Sequence, residues 1–124
     1  QNLPSVEVWG SGRASREFLY VEDAARGIVM ATEQYERDEP VNLGSGREIK
    51  IKDVVKHIIE FAHYHGFIKW DTTKPDGQPR RQLDVRRAKK FFGFEAKMPF
   101  EEGLRKTIAW YERELQLFTP EHIR

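Results

Sequence analysis

Gly-Ser-Gly-Arg occurs twice in this sequence, at 10–13 and again at 44–47. A glycine-rich turn is the simplest backbone cradle for a phosphate. A dinucleotide fingerprint needs a further glycine three residues on, so that strand and helix can pack closely. Those positions hold Ser15 and Ile49, and the chain has no GxxxxGK[ST] phosphate loop. The turn at 44–47 therefore reads as a tight turn after a strand. The histidines are His57, His63, His65 and His122. His63 and His65 are two apart, a spacing that points side chains away from each other on a helix, and no HExxH pattern accompanies them. They read as solvated residues at a helix end. No Ser/His/Asp arrangement stands out, so the sequence shows no assembled catalytic group.

Arginine is the sharper signal. Between Gln78 and Lys90 lie Arg80, Arg81, Arg86, Arg87, Lys89 and Lys90 against a single acid, Asp84. Lys89 and Lys90 suit a solvated helix face. Arg80 and Arg81 follow a stiff Pro-Asp-Gly-Gln-Pro loop, where a planar guanidinium can be held for bidentate phosphate contact. Arg13 and Arg16 flank the first glycine turn, beside Trp9. An aromatic, arginines and ordered turns suit a nucleotide ligand or single-stranded nucleic acid. The charge balance, 21 basic against 20 acidic side chains, favours the small ligand and argues against nucleic acid as the partner.

The elements that must position these residues follow from periodicity. Ser5 to Trp9 alternates as a strand, Gly10-Ser11-Gly12 breaks it, and extended character resumes from Arg16 to Val21. Val21, Ala24, Ala25, Ile28 and Val29 trace a helix with Glu22 and Asp23 in its first turn, ending before Pro40. Val41-Asn42-Leu43 reads as a short strand. A clearer amphipathic helix carries Ile51, Val54, Val55, Ile58, Ile59 and Ala62 and stops near Gly66. Phe67 to Trp70 is a strand, and the spacing predicts a parallel, right-handed strand–helix–strand unit from Val41 to Trp70. Residues 71–81 form an ordered loop. Asp84 is placed to cap a helix from Val85 to Phe92 that ends at Gly93. Pro99 opens the last helix, with Phe100, Leu104, Ile108, Tyr111 and Leu115 as its inner stripe. The result is one α/β domain.

Composition agrees. The chain has 124 residues, 39% of them hydrophobic, no cysteine and a formal charge of +1. A disulfide scaffold and a thiolate zinc site are excluded, disorder is disfavoured, and a reducing, cytoplasmic setting fits. No apolar run approaches the length of a membrane span.

The stretch Trp9-Gly10-Ser11-Gly12 … Arg16-Glu17-Phe18-Leu19-Tyr20-Val21-Glu22-Asp23 resembles the signature of nucleotide-sugar epimerases, dehydratases and reductases, the extended short-chain dehydrogenases. Pro40-Val41-Asn42-Leu43-Gly44-Ser45-Gly46 is similar to their next element. The loop from Trp70 to Arg81, with its Lys-Pro-Asp-Gly-Gln-Pro-Arg core, narrows the resemblance to the GDP-L-fucose synthase family, over roughly Val6 to Glu114. Those enzymes are NADP-dependent 3,5-epimerase/4-reductases acting on GDP-4-keto-6-deoxymannose. Carried onto this chain, the resemblance implies substrate binding by Trp9, Arg16 and Asp76, beside the arginines Arg80 and Arg81. For Trp9 a core or interface role stays open, and Asp76 also reads as an Asp-Gly turn residue.

Two departures qualify this resemblance. The family's cofactor fingerprint and its Tyr-x-x-x-Lys pair belong to an N-terminal Rossmann domain, and none of the tyrosines here has a lysine four residues on. Lys50 stands where relatives place a Ser or Thr cap. The expectation is a small C-terminal substrate-binding domain over residues 1–124, with the Rossmann domain absent from this chain. By itself it would bind no NADP(H) and turn over no substrate. The implied partners are a GDP-sugar, the Rossmann domain and a further copy in a homo-oligomer, with no membrane involved. The alternatives are another nucleotide-sugar epimerase or dehydratase, or a non-catalytic module binding nucleotide-sugar or RNA. Sites in this superfamily lie between two domains, so Trp9, Phe18, Leu19 and part of the Ala24–Ile28 stripe should face a partner surface.

Overall fold

The computed structural model describes residues 4–118. Alternation in Ser5–Trp9 gives strand β1, and it pairs in parallel with β4, Phe67–Asp71, from Ser5 opposite Phe67 to Trp9 opposite Asp71. Gly10 and Gly12, at φ of +90° and +73°, then turn the chain through a left-handed conformation that side chains resist. Strand β2, Ser15–Glu17, pairs antiparallel with β3, Glu48–Lys50. The extended stretch expected to run on to Val21 thus ladders only through Glu17.

The crossover expected between Val41 and Trp70 is not formed. Strand β4 takes β1 as its parallel partner, and Val41-Asn42-Leu43 joins no ladder among the described residues. Alternation shows which residues face inward but does not choose the partner strand. Here Val41 and Leu43 spend their apolar surface on the core cluster of Ala88, Phe92 and Phe94.

Helix α1, Val21–Gln34, ends at Tyr35, earlier than Pro40 requires, because the Tyr35 ring turns in against Phe91 and Phe92. Helix α2, Ile51–Phe61, starts directly from β3, and Lys50 at its N-cap supplies no side-chain bond, as expected of a lysine there. Helix α3, Arg86–Phe92, starts one residue later than expected, with Asp84 Oδ1 accepting the Arg86 N–H at 3.0 Å and Gly93 closing it in the left-handed region. Helix α4 is Phe100–Phe118. It covers Phe100, Gly103, Leu104 and Ile108 against the rest of the chain but leaves Tyr111 and Leu115 exposed.

The largest difference from the periodicity argument concerns α1. Its inward side is Asp23, Gly27, Met30 and Ala31, whereas Val21, Ile28 and Val29 are 69%, 58% and 55% exposed. Among the described residues the buried apolar side chains are Ala14, Phe61, Ala88, Phe92 and Phe94. The chain exposes 9929 Å2 in all, against ~6,900 Å2 for a closed monomer of this mass. No described helix is long and apolar enough to cross a membrane.

Candidate functional site

The first glycine turn and the 71–81 loop are stapled together by one carboxylate. Asp76 Oδ1 accepts the Ser11 N–H at 2.5 Å, and Oδ2 accepts the Ser11 hydroxyl at 2.6 Å. These bonds, the hydroxyl's first, hold the Asp76 carboxyl below its ordinary value. Arg16 fastens the loop from the strand side. Its Nη1 donates to the Ser15 and Gln78 carbonyls at 2.7 Å each, and its Nη2 reaches the Asp76 carbonyl at 3.4 Å. Ser15 N–H donates to the Pro79 carbonyl, and Glu48 takes both Arg80 and the Ser15 hydroxyl. The loop therefore lies pinned along β2.

The five residues singled out from the sequence fall into four settings. Arg16 and Arg81 line one cleft of about 180 Å3 with Glu17, Gln82 and Leu83. Guanidinium carries five donors, so Arg16 keeps Nε–H and one Nη2 hydrogen beyond its loop contacts. Arg81 donates no hydrogen bond among the described residues and is exposed. Arg80 is turned aside, its guanidinium paired with Glu48, whose carboxyl that hydrogen bond holds low. Trp9, 68% exposed, lies at the turn's entrance with Lys74 Nζ 5.2 Å from its ring centre. Asp76 aims both oxygens at Ser11.

Sequence reasoning missed Glu17, which does for the second turn what Asp76 does for the first. Its Oε1 accepts the Ser45 N–H at 3.2 Å and its Oε2 the Leu83 N–H at 3.3 Å. A Cβ on Gly44 would fall 2.1 Å from Glu17 Oε1, so only glycine admits this approach. The signal was its place beside Arg16 in the first motif, but no local pattern says that an acid will reach a distant turn.

These contacts decide what the glycine turns can hold. In each turn an N–H that would face a phosphate already faces a carboxylate, and a Cβ on Gly12 would strike the Trp70 ring at 2.7 Å. Neither turn fits a dinucleotide pyrophosphate. Among the described residues no group of three His, Asp or Glu side chains converges for a metal. His63 and His65 are exposed, His57 packs between Phe61 and Phe100, and His122 lies outside the described residues.

The Asp76 staple is testable by substitution. Asp76→Ala should free the loop, raising amide exchange over residues 73–81 and weakening any ligand that needs the loop in place. Asp76→Asn keeps an acceptor for the Ser11 N–H and lets the Ser11 hydroxyl turn to accept, so it should disturb the loop less. Because the folded carboxyl sits below its free value of 3.8, the staple holds above that pH and loosens as pH falls through the lower folded value. Equal loop exchange in Asp76→Ala and the parent chain would show that the staple does not order the loop.

Comparison with known proteins agrees with the motifs. Residues 1–44 match the model of the NAD dependent epimerase/dehydratase family. GDP-L-fucose synthase 1 of Arabidopsis thaliana is 39% identical over 106 residues, which cover 86% of this chain and 32% of that protein. UDP-glucuronic acid decarboxylase 1 of Xenopus tropicalis is 38% identical over 111 residues, 90% of this chain and 26% of that protein. A crystal structure of a GDP-L-fucose synthetase from Naegleria fowleri bound to NADP superposes with a TM-score of 0.84 at 28% identity, covering 90% of this chain and 36% of that one. The chain spans about a third of the length of the curated GDP-L-fucose synthases it matches. Over nearly its whole length the chain is similar to GDP-L-fucose synthases, and its residues 1–44 match the NAD dependent epimerase/dehydratase family.

Proposed function

We propose that this chain is the substrate-binding part of an NADP-dependent nucleotide-sugar 3,5-epimerase/4-reductase that forms GDP-L-fucose from GDP-4-keto-6-deoxymannose. The observation that carries the reading is the pinned loop, which leaves Trp9 open at one end and Arg16 and Arg81 in one cleft at the other. Spare guanidinium donors suit a diphosphate, and an exposed indole face suits a base or sugar ring. Asp76 and Glu17 hold the two turns that frame them. NADP(H) would supply hydride in the intact enzyme, held by residues of a Rossmann domain outside these 124, because neither glycine turn here fits it.

A second reading, a UDP-sugar enzyme, has support in the 38% identity to the UDP-glucuronic acid decarboxylase. Both are tested on the purified chain by NMR of the Trp9 indole and the Arg16 and Arg81 side-chain N–H groups. Millimolar GDP-L-fucose should shift these signals more than UDP-glucose does, and a reversed order would move the UDP reading ahead. With NADPH and the 4-keto sugar nucleotide the chain should give no turnover. Turnover in material shown free of any longer enzyme would overturn the substrate-binding reading.

A further inference from the structure

Asp76-Gly77 is a dipeptide whose backbone can close on its own side chain, because glycine has no Cβ to shield its nitrogen from the aspartate carboxyl. The fold has a use for both residues. Gly77 sits at φ +72°, and a Cβ on it would fall 3.3 Å from Arg16 Nη2, the nitrogen that reaches the Asp76 carbonyl. Asp76 accepts both the N–H and the hydroxyl of Ser11, and a Cβ on Gly10 would lie 2.5 Å from its Oδ1. Both residues are exposed, so water reaches them. The chain thus keeps a reactive pair inside the loop that carries Arg80 and Arg81.

The reaction open to this pair balances with water alone. The Gly77 nitrogen attacks Asp76 Cγ, an N–C bond forms, a C–O bond breaks, and the carboxyl's hydroxyl leaves as water with the nitrogen's proton. The cyclic imide then takes up water at one of its two carbonyls. Attack at Cγ restores aspartate. Attack at the backbone carbonyl leaves isoaspartate, with the main chain running through Cγ. Ring closure needs the carboxyl protonated and swung onto the Gly77 nitrogen. The Ser11 bonds oppose both, since they aim the two oxygens at the first turn and favour the ionised carboxylate.

We propose that Asp76-Gly77 is a self-modification site, converted to isoaspartate only while its carboxylate is detached from Ser11. The guard and the loop are one device. Isoaspartate lengthens the main chain by one methylene and shifts the carboxylate. The Gln78 and Pro79 carbonyls then lose the register in which they meet Arg16 and the Ser15 N–H. Conversion is therefore a lasting loss of the pinned loop, and a ligand that holds the loop closed slows it. The chemistry is the same whichever ligand the loop serves.

The test ages the purified chain at neutral pH beside a free peptide of residues 71–81 and follows isoaspartate by peptide mapping with electron-transfer fragmentation. Isoaspartate should accumulate in the chain about tenfold or more slower than in the peptide, because it must await local opening. The Ser11 N–H exchanges through the same opening, so its protection should match the slowing of the reaction to within about threefold. Urea below the unfolding range should raise both rates together. Ser11→Ala removes one of the two bonds and should speed isomerisation by about threefold or more, while Ser11→Thr, which keeps a hydroxyl, should stay near the parent chain. The isomerised fraction, separated by chromatography, should have lost protection at the Ser15 N–H, whose acceptor is the Pro79 carbonyl. Isomerisation at the peptide's rate in the folded chain overturns the proposal. So does a rate that stays flat in urea while Ser11 exchange rises, or a folded Ser11→Ala chain that ages no faster than the parent. If Ser11→Ala does not fold, the urea series on the parent chain decides alone.

Discussion

Asp23→Ala should cost about 3–5 kcal/mol, a large share of the ~5–15 kcal/mol that keeps a domain of this size folded. Asp23 is only 5% exposed, and its carboxylate holds together two stretches far apart in sequence. Oδ2 accepts the N–H groups of Lys97 and Met98 at 3.0 and 2.8 Å, and Oδ1 accepts Arg26 Nη2 at 2.9 Å. Arg26 in turn donates to the Glu95 carbonyl and lies over the Phe94 ring. Alanine strands two backbone donors and removes the carboxylate that pairs Arg26, so the loop that delivers α4 loses its anchor. Asp23→Asn keeps one acceptor but turns an amide toward Arg26, and it should fall between the two. Calorimetry should show the melting temperature of Asp23→Ala lowered by ~10–20 °C. A loss under ~1 kcal/mol would mean the 95–98 loop is held by its own packing.

The same group sets an acid limit. Burial raises the Asp23 pKa, but the bonds from Arg26, Met98 and Lys97 outweigh it and leave the folded value below 3.8. The unfolded chain therefore binds the proton more readily, so the stabilisation is complete above that pH and disappears as pH falls through the folded value. Asp84, brought to about 2 by Arg86, and Glu48, lowered by Arg80, act in the same direction. The chain should unfold as pH drops below ~4, and Asp23→Asn should flatten that dependence.

What the sequence disclosed and what it hid divide by range. Residues that need only near neighbours were legible: the β1 alternation, the left-handed glycines, the Ile51–Phe61 stripe and the Gly93 stop. Pairings were not. Nothing local tells Phe67–Asp71 to choose β1, or tells Glu17 and Asp76 to reach across to Ser45 and Ser11. Asp23 looked like an acid placed for the helix dipole, and its partners at 97 and 98 were invisible in one dimension. The outer stripe of α1 misled for a different reason. Periodicity reports that a face is apolar, and this face is left open by the residues present.

Arg16→Ala should release the 76–81 loop and weaken nucleotide-sugar binding by about 10- to 150-fold, the equivalent of ~1.5–3 kcal/mol for charge-assisted bonds. Among the described residues, the half-buried guanidinium is the one cation that both ties the loop, through the Gln78 and Asp76 carbonyls, and lines the cleft with Arg81. Arg16→Lys separates the two duties. An ammonium retains the charge offered to a diphosphate, but a single nitrogen cannot span the carbonyls of Ser15, Gln78 and Asp76 as the planar fork does. Lysine should therefore recover part of the affinity while amide exchange at Gln78, Arg80 and Arg81 stays as fast as in alanine. Arg81→Ala, which cuts no loop bond among the described residues, should weaken binding without changing that exchange. If Arg16→Ala loosens the loop and affinity for the GDP-sugar is unchanged, Arg16 is a strut for the loop and the diphosphate lies elsewhere. If affinity falls and the loop stays ordered, the spare Nε and Nη2 hydrogens are the ligand's, and the carbonyl contacts only aim them.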